Sequence, residues 1–315
     1  MIRSMLKSEI TDNRWYKSML VGNTFWPIIG NWVKRAVGLT NSTNSVLYAP
    51  LANANWYVFG NAGSNLTTYL YSTDTSSWTT GTLPVAGNWG VAAYNGTRIV
   101  LFETVASTAI LTTTNGTTWT SGTIASQTTG GAIYDGTRFI ATNTATNTLQ
   151  WSLNGTTGWT SQNVSAGSFG IAYDGSSRYI ITRNGASPNA QTSTTGIAGT
   201  WSAVTLPASD TWRQVVYAGG YWVVVAVGGN IAYSTNGTTW TASATSSNNN
   251  TWVYARGNWY SFTSGASASG RYRVTPDATS TSFNLGSASG SPNAVAFADD
   301  RMVVATSGTD LWVGV

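Results

Sequence analysis

Side chains suited to reaction chemistry are scarce in this chain. Its 315 residues contain no cysteine and no histidine. Thiolate nucleophiles, disulfides, histidine metal sites and histidine general bases are therefore excluded. Carboxylates remain, and hydrolysis of a glycosidic bond normally needs two of them close together. The only glutamates are Glu9 and Glu103. No acidic loop has the EF-hand spacing and no Gly-rich phosphate loop stands between a strand and a helix, so neither a metal nor a cofactor is expected. What the chain does hold is 16 Trp and 15 Tyr among many Ser, Thr and Asn. Exposed aromatic faces ringed by such polar groups suit sugars, which stack their apolar faces and hydrogen-bond their hydroxyls. On this chemistry the candidate ligand-binding residues are Trp89, Phe169, Trp212 and Trp252, with Arg183 and Arg213 as added donors.

A repeat sets the elements that must position them. The stretch Tyr233-Ser234-Thr235-Asn236-Gly237-Thr238-Thr239-Trp240 reads as strand, tight turn, strand, with the Trp as an aromatic lid on its own hairpin. Copies lead to Trp78, Trp119, Trp159, Trp201 and Phe283, so the aromatic steps are 41, 40, 42, 39 and 43 residues. A second anchor keeps the same beat: Ala93-Tyr94-Asn95-Gly96, Ile133-Tyr134-Asp135-Gly136 and Ala172-Tyr173-Asp174-Gly175 each lead into an apolar strand. Four short strands per period of about 41 residues make a propeller blade.

The turn motif resembles the Asp box of sialidase-like propellers, Ser-x-Asp-x-Gly-x-x-Trp, which lies between the third and fourth strands of a blade. Asn replaces Asp in three copies and Thr in one, while Asp74 and Asp277 lack the Gly. In that family the box is structural, so the resemblance implies the fold and not an activity. The family's site lies over the channel, with three arginines for a substrate carboxylate. Arg98, Arg138 and Arg178 are spaced by 40, but they share one repeat position, which the family's blade geometry puts on the opposite face. Each is expected to cap its turn or pair with a nearby Asp. On the functional face that geometry leaves Glu103, Asp210 and Asp310, in different blades, and no catalytic residues are assigned. It also brings Trp89, Phe169, Trp212 and Trp252 to inter-blade crossings at the channel mouth.

Two domains are read: a basic N-terminal arm over residues 1–22 and an all-β propeller over residues 23–315. Residues 23–30 resemble an isolated fourth strand, and the chain stops at Trp312-Val313-Gly314-Val315, where a third strand should run. Trp26 is therefore expected to supply the seventh motif aromatic, with Trp312 equivalent to Trp151, and the N-terminal strand to close a seven-bladed ring. Six blades is the alternative. The 52 residues from Trp26 to Trp78 imply an insertion, placed at residues 40–45. The formal charge of +4 resides in residues 1–35, where six basic residues face two acidic ones. Arg3, Lys7, Arg14 and Lys17 make the arm a candidate docking element for other virion proteins or another copy of the chain. The neutral body argues against nucleic acid, and no stretch approaches the ~20 apolar residues of a membrane span. Low charge, a Ser/Thr/Asn/Gly-rich body and degenerate boxes resemble in style the propeller proteins of bacteriophage virions, tail and fibre components above all. That resemblance implies a non-enzymatic virion protein presenting a propeller for host-receptor glycan binding or for assembly. The alternative is a glycan-active enzyme or lectin of the sialidase-like class.

Overall fold

Runs of β-branched and aromatic residues broken by Asn, Asp and Gly fold as four antiparallel strands per repeat. The computed structural model describes residues 29, 31–36, 43–60, 66–105, 107–127, 129–164, 168–183, 189–197, 199–243, 249–263, 267–287 and 290–315. These form strands β1 to β28 in seven four-stranded sheets, with no helix among the described residues. Blades 1 to 6 are β2–β5 (43–87), β6–β9 (89–127), β10–β13 (129–163), β14–β17 (168–204), β18–β21 (212–242) and β22–β25 (249–287). Blade 7 combines β26–β28 (292–314) with β1 (Val33–Ala36). The first strands, among them β2 (Thr43–Tyr48), β14 (Ser168–Tyr173), β18 (Trp212–Ala218) and β26 (Pro292–Ala298), line the axis. Each packs beside the next, and β26 meets β2 to complete the ring.

Second strands lie between neighbouring sheets and are covered on both faces. They read as unbroken apolar runs, as in Ile99-Val100-Leu101-Phe102 or Trp222-Val223-Val224-Val225, all buried. Fourth strands such as β13 (Thr160–Asn163) are largely exposed. The turn before each fourth strand is longer than a two-residue hairpin: residues 235–240 separate β20 (Ile231–Ser234) from β21 (Thr241–Ala242). Side chains close it. Ser234 Oγ accepts the N–H groups of Asn236 at 3.2 Å and Gly237 at 2.8 Å, and Asn236 Oδ1 accepts those of Thr238 and Thr239 at 2.9 Å. The same pattern recurs at Ser72/Asp74, Thr113/Asn115 and Ser152/Asn154. Gly237 has φ +72°, and a Cβ there would lie 2.5 Å from Arg178 Cδ, so glycine suits this copy, while Thr75 takes the same left-handed position at φ +65° in the first.

The motif tryptophans are staples between blades rather than lids on their own hairpins. Trp119 of blade 2 meets Phe59 and Tyr69 of blade 1 edge-on at 5.7 and 5.5 Å, and Trp159 of blade 3 meets Phe102 of blade 2 at 5.6 Å. Phe283 differs: it stands inside β25 (Thr281–Ser287) and packs on Tyr260 and Phe262 of its own blade.

The N-terminal strand does close the seventh blade, with β1 antiparallel to β28 (Asp310–Gly314). Its aromatic is Trp32, not Trp26. Trp32 immediately precedes β1 as Trp119 precedes β9 (Thr120–Gln127), and it stacks on Phe283 at 5.7 Å across the blade 6 boundary. Trp26 lies outside the described residues. The step from Trp32 to Trp78 is 46 residues, and Thr43 to Ser45, expected in an inserted loop, belong to β2. Ile29 is buried and donates its N–H to Tyr260 Oη at 3.0 Å; Lys34 Nζ meets the buried Asp310 carboxylate at 2.9 Å. Register also corrects Trp312: Met302 pairs Gly314 where Phe139 pairs Ser152, so Val313 rather than Trp312 matches Trp151.

Candidate functional site at the channel mouth

Each innermost strand carries a β-bulge near its start. The register shifts fall between Thr43 and Ser45, Trp89 and Val91, Thr129 and Ala132, Ser168 and Ile171, Trp212 and Gln214, Asn249 and Thr251, and Pro292 and Ala294. An extra residue on one strand bends it and re-aims its neighbours. All seven bulges fall at one end of the ring, around an axial cavity of about 790 Å3. Its wall is uneven. Blades 2 to 4 contribute Gly90, Gly130, Gly131 and Gly170, whereas blade 5 contributes Arg213 and blade 7 Asn293. A Cβ on Gly170 would come within 2.6 Å of the Arg213 carbonyl oxygen, so β14 and β18 approach closely only because that position is bare. Gln214 locks the next boundary: its amide donates to Trp252 O at 3.0 Å and accepts the Trp252 N–H at 2.9 Å.

Two of the candidate ligand residues stand together. Arg213 is exposed and its guanidinium lies over the Phe169 ring, 5.8 Å from the centroid. Arg183, half-buried, is the register partner of Ser168, next to Phe169. Its Nε and Nη1 are buried without a hydrogen-bond partner, and burial lowers its pKa. Trp89, Trp212 and Trp252, expected to be exposed, are each only 1% exposed. They lie between blades, where Trp89 Nε1 donates to Val85 O, Trp212 Nε1 donates to Ala208 O, and Trp252 carries the Arg273 guanidinium 4.7 Å from its centroid. Alternation along a strand sends neighbours to opposite faces, so their neighbours Gly90, Arg213 and Thr251 take the channel side. The arm residues Arg3, Lys7, Arg14 and Lys17 lie outside the described residues.

The carboxylates at this end have structural partners. Glu103 Oε1 accepts the Asn88 N–H at 3.2 Å. Asp210 accepts the Thr211 N–H at 2.6 Å and the Asn230 amide at 2.8 Å, and Asp310 meets Lys34. Arg98, Arg138 and Arg178 follow the first strands, at the end opposite the bulges. Arg138 forms an ion pair with Asp135 through Nε at 3.0 Å and Nη2 at 2.8 Å, while Tyr179 of the next blade donates to the same carboxylate at 2.9 Å. Burial would raise the Asp135 pKa, but the N–H groups of Arg138 and Thr137 and the guanidinium outweigh it and hold the carboxyl below its usual range. Arg178 donates to Thr192 Oγ1, and the Arg98 backbone N–H donates to Asn95 Oδ1. The seven bulges escaped the sequence reading. Their signal is the Gly or polar residue recurring at one repeat position: Gly90, Gly130, Gly170, Arg213 and Asn293.

Closed ring, axial cavity and seven equivalent sheets define a seven-bladed β-propeller. No protein-family model matches the sequence, and comparison with curated proteins gives no match. Solved structures do match. YCF48 bound to D1 peptide is 12% identical with a TM-score of 0.72, covering 91% of this chain and 95% of that one. Virginiamycin B lyase from Staphylococcus aureus is 10% identical with a TM-score of 0.73, covering 90% and 99%. The WD40 propeller domain of Doa1 is 10% identical with a TM-score of 0.66, covering 91% and 97%. At such identities the likeness establishes the fold alone.

Proposed function

We propose that the chain is a non-enzymatic adhesion or structural module of a virion, a bacteriophage tail or fibre component whose propeller binds a host-surface glycan at the channel mouth. The observation that carries the reading is the chemistry of that mouth. It offers hydroxyls, amides, bare backbone and a cation, while Glu103 and Asp210 accept hydrogen bonds beside their own blades and Asp310 pairs with Lys34 of the closing strand. Such a surface is furnished for recognition, whereas glycoside hydrolysis calls for a pair of carboxylates facing one bond. The turn knots support a kinship with Asp-box propellers, and the low charge of the body supports the virion setting. A propeller of the same fold, YCF48, has been solved with a peptide bound, so a partner protein on this face is the competing occupant. The basic arm precedes β1 in the sequence and so suits docking on another virion protein or another copy.

Two measurements test this. The full chain applied to a glycan array should retain glycans without releasing products; cleavage would move the reading to an enzyme. Native mass of the full chain against a chain starting at Asn23 should show assembly only with the arm, and identical monomers would remove its docking role.

A further inference from the structure

One reactive dipeptide recurs along the chain in different surroundings. Four Asn-Gly pairs fall within the described residues, Asn95-Gly96, Asn115-Gly116, Asn154-Gly155 and Asn236-Gly237, and each is followed by Thr. A fifth, Asn184-Gly185, lies outside them. Glycine has no side chain to hinder attack by its own backbone nitrogen on the carboxamide of the preceding asparagine. Local sequence gives the four pairs the same tendency, so structure alone separates them. In all four the Asn Oδ1 accepts the N–H groups two and three residues on. Those donors face the oxygen on which charge gathers when Cγ is attacked. The nucleophiles differ. Gly116, Gly155 and Gly237 are buried, and their N–H groups donate to Thr113 Oγ1 at 2.9 Å, Ser152 Oγ at 3.1 Å and Ser234 Oγ at 2.8 Å. Gly96 is exposed, and its N–H has no partner among the described residues. Beyond its chain neighbours, nothing lies within 4 Å of where a Cβ would stand.

The fold also holds a place for the product. Asn95-Gly96-Thr97-Arg98 and Asp135-Gly136-Thr137-Arg138 occupy the same repeat position and differ only in the first residue. In blade 3 the Asp135 carboxylate pairs with Arg138. In blade 2 Arg98 has no carboxylate partner among the described residues. We propose that Asn95 is a site of self-modification, at which deamidation supplies the carboxylate that Arg98 lacks. The Gly96 nitrogen bonds to Asn95 Cγ, the Cγ–Nδ2 bond breaks, and ammonia leaves with the proton that the Gly96 nitrogen gives up. Water then opens the cyclic imide at the new Cγ–N bond, its hydroxyl going to Cγ and its proton to the nitrogen. An aspartate at position 95 results, adding negative charge to the ring face opposite the bulges. The inference is independent of the glycan reading, because neither step involves the channel mouth.

The test incubates the full chain at mildly alkaline pH, digests it at mildly acidic pH and follows the four Asn-Gly peptides by mass spectrometry. Asn95 should convert at least tenfold faster than Asn115, Asn154 or Asn236, with aspartate among its products. In denaturant, where the turns are gone, the four should convert at equal rates. No conversion at Asn95, or conversion of any of the other three as fast in the folded chain, overturns the proposal. So does a lead for Asn95 that persists in denaturant, because the cause would then not be the fold. Isoaspartate as the sole product, from opening the imide at the backbone carbonyl, overturns the supply of a carboxylate to Arg98. A second measurement reads the pairing itself. Asn95→Asp should raise the thermal midpoint by ~1 °C, the effect of a part-exposed ion pair in a ring of this size, and the rise should vanish in an Arg98→Ala background. A midpoint that does not rise, or a rise that survives Arg98→Ala, overturns the pairing.

Discussion

Replacing Asp135 with Asn isolates the charge that ties blade 3 to blade 4. The Asn side chain can still accept the N–H groups of Thr137 and Arg138, so the local turn survives. What disappears is the negative charge facing Arg138, whose side chain is 14% exposed against 2% for Asp135. Arg138 keeps neutral partners, Tyr179 Oη, Thr195 O and the Trp151 ring. Stranding one member of a buried ion pair costs about 3 kcal/mol, the lower end of the usual range being apt for a partly exposed partner. An unfolding entropy of ~2.1 cal/mol/K per residue gives ~0.66 kcal/mol/K for 315 residues. The thermal midpoint should therefore fall by ~4–5 °C in a calorimetric scan. Tyr179→Phe removes one hydrogen bond to the carboxylate and should cost ~1.5 kcal/mol, about half that fall. A drop of less than ~1 °C for Asp135→Asn would refute the network as an inter-blade tie.

Other perturbations read other parts of the account. Trp32→Ala removes the half-buried aromatic stacked on Phe283 and should lower urea-unfolding stability by ~2–3 kcal/mol, below the ~3–5 kcal/mol of a fully buried aromatic. Ser234→Ala leaves the N–H groups of Asn236 and Gly237 without their acceptor and should cost ~1–2 kcal/mol in the same assay. Stability should be flat from about pH 5 to 8, because the chain has no histidine. Below that window Asp135 and Asp174, held below their ordinary values, contribute stability present above ~3.9 and lost as pH falls through their folded pKa. On the alkaline side, burial raises Tyr57 and Tyr69, so their contribution is intact below ~10 and lost as pH rises through the higher folded values. Circular dichroism melts across pH 3 to 12 check both arms, and a sharp change near pH 6 to 7 would contradict them.

Much of the fold was legible because a repeat averages out local ambiguity. The two anchors, Tyr94-Asn95-Gly96 and its copies and the Trp-bearing turns, gave six copies, and the unpaired strands at the two ends of the chain pointed to a seventh blade closed by the N-terminal strand, with six blades as the alternative. The details that slipped concern single-residue phase. Trp26 and Trp32 lie six residues apart in the same segment, and packing against Phe283 and Phe262 selects Trp32. The shift from Trp312 to Val313 as the repeat equivalent of Trp151 is likewise one residue, which in a strand reverses the face. The candidate site was legible in part. Arg213 and Phe169 do meet at the mouth, but Trp89, Trp212 and Trp252 turn into the blade boundaries, because bulges hand the channel side to their neighbours. Bulges leave no strong compositional mark, since Gly90, Arg213 and Asn293 share only a position. The arginines after each first strand were read as structural, and the Asp135–Arg138–Tyr179 contacts supply the physical reason.

The central claim is that this propeller recognises a glycan at the channel mouth without altering it. The most direct measurement incubates the full chain with a glycan retained on the array, elutes it, and compares its mass with the starting material. The account predicts saturable retention of a glycan that is recovered intact. Recovery of a shortened or eliminated product would contradict it and make the mouth an active site.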